Sequence, residues 1–215
     1  LSTKLILTFI VVAIISGIVG LVGIVNITKI NDNDNILYDN MTVPLSEVAE
    51  MARLFQRARV NARDLILYEE KADIDQAYSE VVAYLNEIDT ISQSFEKTIV
   101  QDEVEAAFSE FNVAMKAFKE DLKQVYEISL LNKDDEAFAF TKGEMQETAD
   151  AVRESIDKLI QFKVVGAQNQ SDSNTATAKQ ATYTMIAIVA AAMLVAIGLG
   201  VFVSNIISKP VKTIS

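Results

Sequence analysis

Two uncharged apolar runs stand near the two ends of the chain, Leu5 to Val25 and Met185 to Val203. Each contains about twenty residues, which is the length an α-helix needs to cross roughly 30 Å of hydrocarbon. A helix suits that environment because it pairs its backbone groups internally. The pattern predicts two transmembrane helices, over residues 5–25 and 183–203, with residues 26–182 between them.

Apolar residues recur through the middle segment at alternating spacings of three and four, which is typical of one face of a helix. Polar breaks divide this pattern into four seams, each a stripe of apolar residues along one face of a predicted helix. No stretch alternates with the period of two that a strand requires. Spacings that average 3.5 indicate helices packed at shallow crossing angles. The predicted fold is all-α, an antiparallel up-down four-helix bundle flanked by two transmembrane helices. The core is predicted to include Phe55, Leu85, Phe108, Phe111, Met115, Phe118 and Ile156.

Three polar breaks are predicted to connect the four bundle helices, at residues 71–73, 101–102 and 132–134. We expect Asp73 to cap the second helix, because an aspartate side chain accepts a hydrogen bond from the first helical turn. The connections are short, so neighbouring helices should run antiparallel. We expect Pro44 either to kink the first helix or to begin its bundle portion as a first-turn proline.

Basic residues are unevenly distributed along the chain. Lys4 precedes the first apolar run, and Lys209 and Lys212 follow the second, while the other sixteen of the 19 basic residues and all 30 acidic residues lie between the runs. Short segments rich in Lys and Arg stay on the cytoplasmic side. The sequence predicts a two-pass protein of the inner or plasma membrane, with residues 26–182 outside the cytoplasm and both termini inside. A cleaved signal peptide is the alternative for the first run, but its length and the lack of an A-x-A site after it favour an uncleaved anchor.

Composition excludes several classes of function. The chain contains no Cys and no His, so we expect no disulfide, no histidine metal ligand and no imidazole base. The formal net charge of −11 makes nucleic acid a poor partner. Asp134, Asp135 and Glu136 are better explained as acidic residues at a helix N-terminus than as a carboxylate site. We therefore expect no enzyme activity, no metal site and no cofactor.

Four of the five arginines lie in one eleven-residue stretch of the first predicted bundle helix: Arg53, Arg57, Arg59 and Arg63. On a helical wheel, Arg59 and Arg63 border the apolar seam and the other two face outward. A guanidinium binds a carboxylate through two parallel hydrogen bonds. We predict that Arg59 and Arg63 bind a small carboxylate, with Arg153 of the fourth helix contributing. The alternative is that these arginines form ordinary surface ion pairs, which are common and of little consequence, with groups such as Glu47, Glu50 and Asp64.

Two short motifs carry a resemblance to a known family. The segment Ile207-x-x-Pro210-Val211-x-x-Ile214 resembles the opening of a HAMP linker, and residues 131–137 resemble the turn that starts the last bundle helix in the same family. The order of span, exported bundle, span and HAMP start is similar to that of bacterial and archaeal methyl-accepting chemotaxis proteins with a four-helix-bundle sensor. In architecture the resemblance covers the full chain, with residues 204–215 as the truncated start of HAMP.

The resemblance implies a homodimeric receptor without enzyme activity, which binds a small-molecule ligand at the dimer interface or within one bundle. It also implies that the ligand displaces the second span, and that HAMP passes this displacement to a cytoplasmic kinase and adaptor through a signalling region beyond this chain. The start without Met suggests a fragment. Two alternatives stay open: the same input module drives a histidine kinase or nucleotide cyclase, or the bundle senses a partner protein or membrane strain.

Overall fold

The computed structural model describes the backbone of residues 2–212 and the side chains of residues 6–205. All regular structure in this part of the chain is helical. The predictions for Lys4 and for the HAMP residues Ile207, Pro210, Val211 and Ile214 concern side chains outside the described residues. The elements are α1 (Ser2–Leu37), a π-helix (Tyr38–Thr42), α2 (Val43–Asn61), α3 (Asp64–Leu67), α4 (Lys71–Glu96), α5 (Asp102–Ser129), α6 (Asp134–Lys142) and α7 (Glu144–Lys212).

The chain divides into two compact units, and the first comprises Leu1–Asn35 and Gln170–Ser215. It contains two apolar helical stretches that are long enough to cross a membrane and that bury none of their residues within the protein. Small residues allow close packing between such helices. A Cβ at Gly23 would lie 3.6 Å from Met185 Cε, whereas one at Gly17 or Gly20 would have no neighbour within 4 Å.

The second unit, Ile36–Asn169, is the four-helix bundle. Its first member is α2 with the short α3, its second and third are α4 and α5, and its fourth is formed by α6 and the first part of α7. All seven residues predicted for the core are buried, with at most 5% of any of them exposed. The seam pattern therefore predicted the rotation of each helix about its own axis correctly.

Contacts between side chains show that neighbouring helices run antiparallel. Tyr78 near the start of α4 stacks on Tyr126 near the end of α5, with ring centroids 4.1 Å apart. Phe95 at the end of α4 meets Phe108 in α5 at 5.5 Å. Between α5 and α7, Lys158 Nζ donates to Glu110 at 2.8 Å, and Thr148 Oγ1 donates to Asp121 at 2.7 Å. In both pairs of helices, the later residue on one helix meets the earlier residue on the other.

Two helix starts bear on the sequence predictions. The predicted break at residues 71–73, with Asp73 as the cap, was wrong, because α4 begins at Lys71 after Glu70 and all three residues are helical. Lys71 Nζ contacts Asp75 at 2.6 Å one turn on, and this pair favours the earlier start. Pro44 takes the first-turn role that was one of its two predicted roles. It follows a π-helix that the sequence did not predict.

Candidate functional site

A cavity of about 360 Å³ opens between α2, α3, α5, α6 and the start of α7, at the end of the bundle where α2 ends and α7 begins. Its lining is mainly apolar, with three cationic side chains at the edge. Phe118 and Met145 form part of the apolar lining and are themselves buried. The residues that line it are Arg59, Ala62, Arg63, Ile66, Leu67, Phe118, Phe138, Thr141, Lys142, Met145, Gln146 and Ala149.

A break between α2 and α3 places the arginines at this cavity. Helix α2 ends at Asn61, and α3 begins only at Asp64. In the turn between them, the Arg63 N–H donates to the Val60 carbonyl at 3.1 Å. Arg59 lies in the last turn of α2 and Arg63 in the connecting turn, so two guanidinium groups about one helical turn apart line the same cavity.

The four clustered arginines differ in their partners. Arg53 Nε donates to Glu50 Oε2 at 2.7 Å, so the predicted alternative of a surface ion pair holds for this residue. The Arg57 guanidinium lies 5.1 Å from the centroid of the Tyr84 ring. Arg59 Nη1 donates weakly to the Gln56 amide oxygen at 3.3 Å. Within the described part of the chain, neither cavity-lining arginine forms an ion pair with a carboxylate.

Helix α6 supplies a third cation and an aromatic wall. Lys142 and Thr141 in its last turn line the cavity, together with Phe138 one turn earlier. Phe138 is 56% exposed, and Lys142 Nζ lies 5.9 Å from the centroid of its ring. An exposed phenylalanine beside an ammonium group offers both apolar surface and positive charge to a ligand. The arrangement therefore suits an anion that carries an apolar body.

Comparison with known proteins identifies the class of this bundle. Residues 1–178 match the family described as a four helix bundle sensory module for signal transduction. The chain belongs to this family of sensory modules. A protein of Acetivibrio thermocellus that is named a sensory transducer is 22% identical over 153 residues, which amount to 71% of this chain. The match covers 27% of that relative, so the chain spans about a quarter of its length. The family is one of signal-transduction sensors and not of enzymes.

The sensory module brings together two of the three residues predicted to bind a ligand. Arg59 and Arg63 share the cavity, but Arg153 is not among its lining residues. The Arg153 guanidinium instead lies 3.2 Å from the Asp150 carboxylate, and its side chain is 56% exposed. The third cation at the cavity is Lys142, which the sequence reasoning missed. The sequence feature that could have indicated Lys142 is a lysine one turn after an aromatic residue in the short acidic helix α6.

Proposed function

We propose that this chain is the sensory and membrane-anchoring part of a chemoreceptor, and that it binds a small carboxylate in the cavity lined by Arg59 and Arg63. The observation that carries the proposal is a set of three cations, completed by Lys142, around one apolar cavity of an otherwise acidic chain. Cations without carboxylate partners remain available to a ligand anion, and a guanidinium binds a carboxylate with two hydrogen bonds.

The cavity also limits the body of the ligand. Ala62, Ile66, Phe118, Met145 and Ala149 present aliphatic, thioether or aromatic surface. Burying apolar ligand surface against such a lining contributes roughly 25 cal/mol per Å² before the costs of binding. A carboxylate with a branched or aromatic body therefore gains more from the apolar lining than a small dicarboxylate does. Organic acids belong to this class. An apolar amino acid also offers a carboxylate, but its ammonium group has no acidic partner among the lining residues.

Calorimetry of the full chain in nanodiscs tests the site. Phenylacetate, benzoate, leucine and succinate serve as probes, and Arg63→Ala is compared with Arg53→Ala. Loss of a charge-assisted hydrogen bond costs roughly 1.5 to 3 kcal/mol, so Arg63→Ala should weaken binding by about ten- to a hundredfold while Arg53→Ala changes little. Equal small losses in both variants, or no heat with any probe, would contradict the site and favour a partner protein or membrane strain as the signal.

Transmission follows from the extent of α7. This helix includes Met145 and Ala149 at the cavity and also the second apolar run. We propose that ligand binding displaces α7, and with it the second span, in a two-pass protein of the inner or plasma membrane. The lysine distribution supports placing residues 26–182 outside and both termini inside.

The chain contains no Cys, so a single cysteine at Ser46 can be labelled by an impermeant maleimide. Labelling in intact cells supports this orientation, and labelling only after lysis overturns it.

We further propose a homodimer in which the first bundle helices lie near the two-fold axis. Val60 on α2 is 58% exposed, and the adjacent Arg59 lies at the cavity. Most soluble and receptor oligomers are symmetric, so a two-fold contact would use the same surface of both copies. Disulfide cross-linking of single cysteines along residues 45–66 in membranes should peak every three to four positions. A flat profile along α2 would contradict this arrangement.

The output of the intact protein completes the proposal. A chemoreceptor would continue past residue 215 through HAMP into a long heptad hairpin that engages a kinase and an adaptor. A histidine kinase or nucleotide cyclase would instead carry a catalytic domain there. Reading about three hundred further codons decides between them: a sustained heptad repeat supports the receptor, and a catalytic domain overturns it in favour of the sensor enzyme.

A further inference from the structure

Lys163 in α7 is fully buried, although it carries an ammonium group. Its Nζ donates hydrogen bonds to the Asn40 carbonyl at 2.9 Å and to the Thr98 carbonyl at 3.0 Å. The same nitrogen lies 5.0 Å from the centroid of the buried Phe95 ring. One side chain thus joins three separate segments: the π-helix after α1, the connection between α4 and α5, and α7.

The two carbonyl groups lack ordinary helical donors for identifiable reasons. In an α-helix, the N–H of residue 44 would donate to the carbonyl of residue 40, but residue 44 is a proline and has no N–H. The backbone is locally π-helical, and the Val43 N–H reaches back to the Tyr38 carbonyl. Thr98 lies beyond the last residue of α4, Glu96, where helical carbonyl groups lose their partners. Lys163 supplies a donor to both places.

Charge around the ammonium is also arranged to hold it. Glu47 of α2 is the charged group that faces Lys163, and its attraction opposes the effect of burial. The Ser94 hydroxyl donates to Glu47 Oε1 at 2.7 Å. The other oxygen, Oε2, is buried without a hydrogen-bond partner in the described part of the chain. The groups contributed by the π-helix and by the end of α4 are uncharged: the Asn40 carbonyl, the Phe95 ring and Thr98.

Gly166 fixes the same contact one turn further along α7. A Cβ at this position would lie 2.8 Å from Gln101 Nε2 and 3.1 Å from Met41 Sδ. Glycine therefore leaves room against α7 for the side-chain ends of Gln101 and Met41. Lys163 and Gly166 therefore contact the same two segments of the bundle.

We propose that Lys163 is a positioning residue that fixes the axial position of α7 relative to the π-helix and to the end of α4, and so sets the resting state of the sensor. The inference rests on the proposed function in one respect, that α7 carries the signal. Apolar contacts tolerate sliding, but hydrogen bonds fail outside a narrow range of length and angle. A slide of about 1.5 Å, the rise of one helical residue, would strain both carbonyl bonds.

Spin-label distances in the full chain test the proposal directly. Cysteines replace Asn86 on the exposed face of α4 and Gln161 on the exposed face of α7. In nanodiscs, Lys163→Met should shift the mean distance by about 2 Å or broaden its distribution clearly, because methionine fills the space without directional bonds. The control is Lys158→Met on the same helix, which removes surface contacts to Glu110 and Glu154. Distributions for Lys163→Met that match those of the control overturn the proposal. This readout requires no ligand, so it can fail while the carboxylate site holds.

Two further measurements test the proposal, and the first of them does not require Lys163→Met to fold. In the otherwise unchanged chain, the ammonium protons of Lys163 should exchange with water far more slowly than those of Lys158 in lysine-edited NMR spectra. Equal exchange overturns the buried contact. Pro44→Ala restores an N–H that can reach the Asn40 carbonyl. The factor by which Lys163→Met raises the unfolding equilibrium constant should therefore be about fivefold smaller in the Pro44→Ala background. Strict additivity of the two substitutions would show that the two positions do not share this carbonyl.

Discussion

The ring of Phe55 in α2 meets the ring of Phe118 in α5 edge-on, with centroids 4.9 Å and planes 67° apart. An edge-to-face pair contributes roughly 0.5 to 1.5 kcal/mol beyond the area it buries. Both rings are almost completely buried, and Phe118 also lines the cavity beside Arg59 and Arg63. The pair therefore connects the centre of the bundle to the proposed ligand site.

Phe118→Ala should destabilise the bundle by about 3 to 5 kcal/mol, because it removes a buried ring and leaves a void. Chemical unfolding of the full chain in mild detergent, followed by helical circular dichroism, measures the loss. Val113 on the same helix is 69% exposed, so Val113→Ala should change stability by less than about 0.5 kcal/mol. A similar cost for both substitutions would mean that the α2–α5 contact contributes little.

Among the residues that the structure describes, Asn132 alone has a positive φ, of 51°. It follows α5 in the turn before α6, where the left-handed conformation commonly ends a helix. Alanine in that conformation costs roughly 1 to 2 kcal/mol, whereas glycine adopts it without strain. Asn132→Ala should therefore lower the unfolding free energy by about 1 kcal/mol, and Asn132→Gly should be nearly neutral. Thermal unfolding of the two variants side by side decides it, and an equal loss in both would point to the Asn side chain instead.

Lys142 should contribute to binding through charge more than through directed hydrogen bonds, because an ammonium group acts as a point charge. Lys142→Gln is expected to weaken carboxylate binding by about three- to tenfold, less than Arg63→Ala, and to reduce the salt dependence of the affinity. Lys133→Gln is the matched control, since Lys133 precedes the same helix and pairs with Glu136 at 2.9 Å. Calorimetry at low and high salt provides the comparison. Identical behaviour of the two lysine variants would remove α6 from the site.

The fold could be predicted from the sequence because each bundle helix repeats its apolar positions over about four turns or more. One or two irregular residues do not change such a pattern, and Phe108, Phe111 and Phe118 all lie where it places them. Helix ends depend on fewer residues. Asp73 is a good capping residue and would place the first helical residue at 74, but α4 begins at Lys71, and the exposed pair of Lys71 with Asp75 favours that start only slightly.

The candidate site was only partly predictable, for a related reason. Arg59 and Arg63 stood out because they concentrate positive charge next to an apolar seam. Arg153 of the last bundle helix was also predicted to contribute, but its guanidinium lies beside Asp150 one turn earlier and it does not line the cavity. Lys142 reaches the cavity because α6 ends at Gly143 beside the start of α7. That placement depends on tertiary packing, which no local pattern encodes.

Lys163 should make the stability of the bundle depend on pH in a way that separates it from the surface lysines. Burial lowers the pKa of Lys163 from 10.5 to about 8 in the folded chain, with the Glu47 charge acting in the opposite direction. Between these two values the unfolded chain holds a proton that the folded chain has lost, so rising pH favours the folded state. For Lys158, hydrogen bonds to Glu110 and Glu154 raise the pKa, so its contribution is constant below 10.5 and falls above it.

The unfolding free energy of the unsubstituted chain, minus that of Lys163→Met, should therefore increase by up to about 1.4 kcal/mol per pH unit between pH 8 and 10.5. Below pH 8 the difference should be constant, because Lys163 is then protonated in both states. The contributions of tyrosines and other lysines that titrate in the same range are common to both proteins, so they cancel in this difference of unfolding free energies. Urea unfolding at half-unit steps from pH 7 to 10.5 measures it, and Lys158→Met should give a flat difference up to pH 10. A flat profile for Lys163→Met as well would show that the ammonium remains charged, or reaches water, in the folded protein.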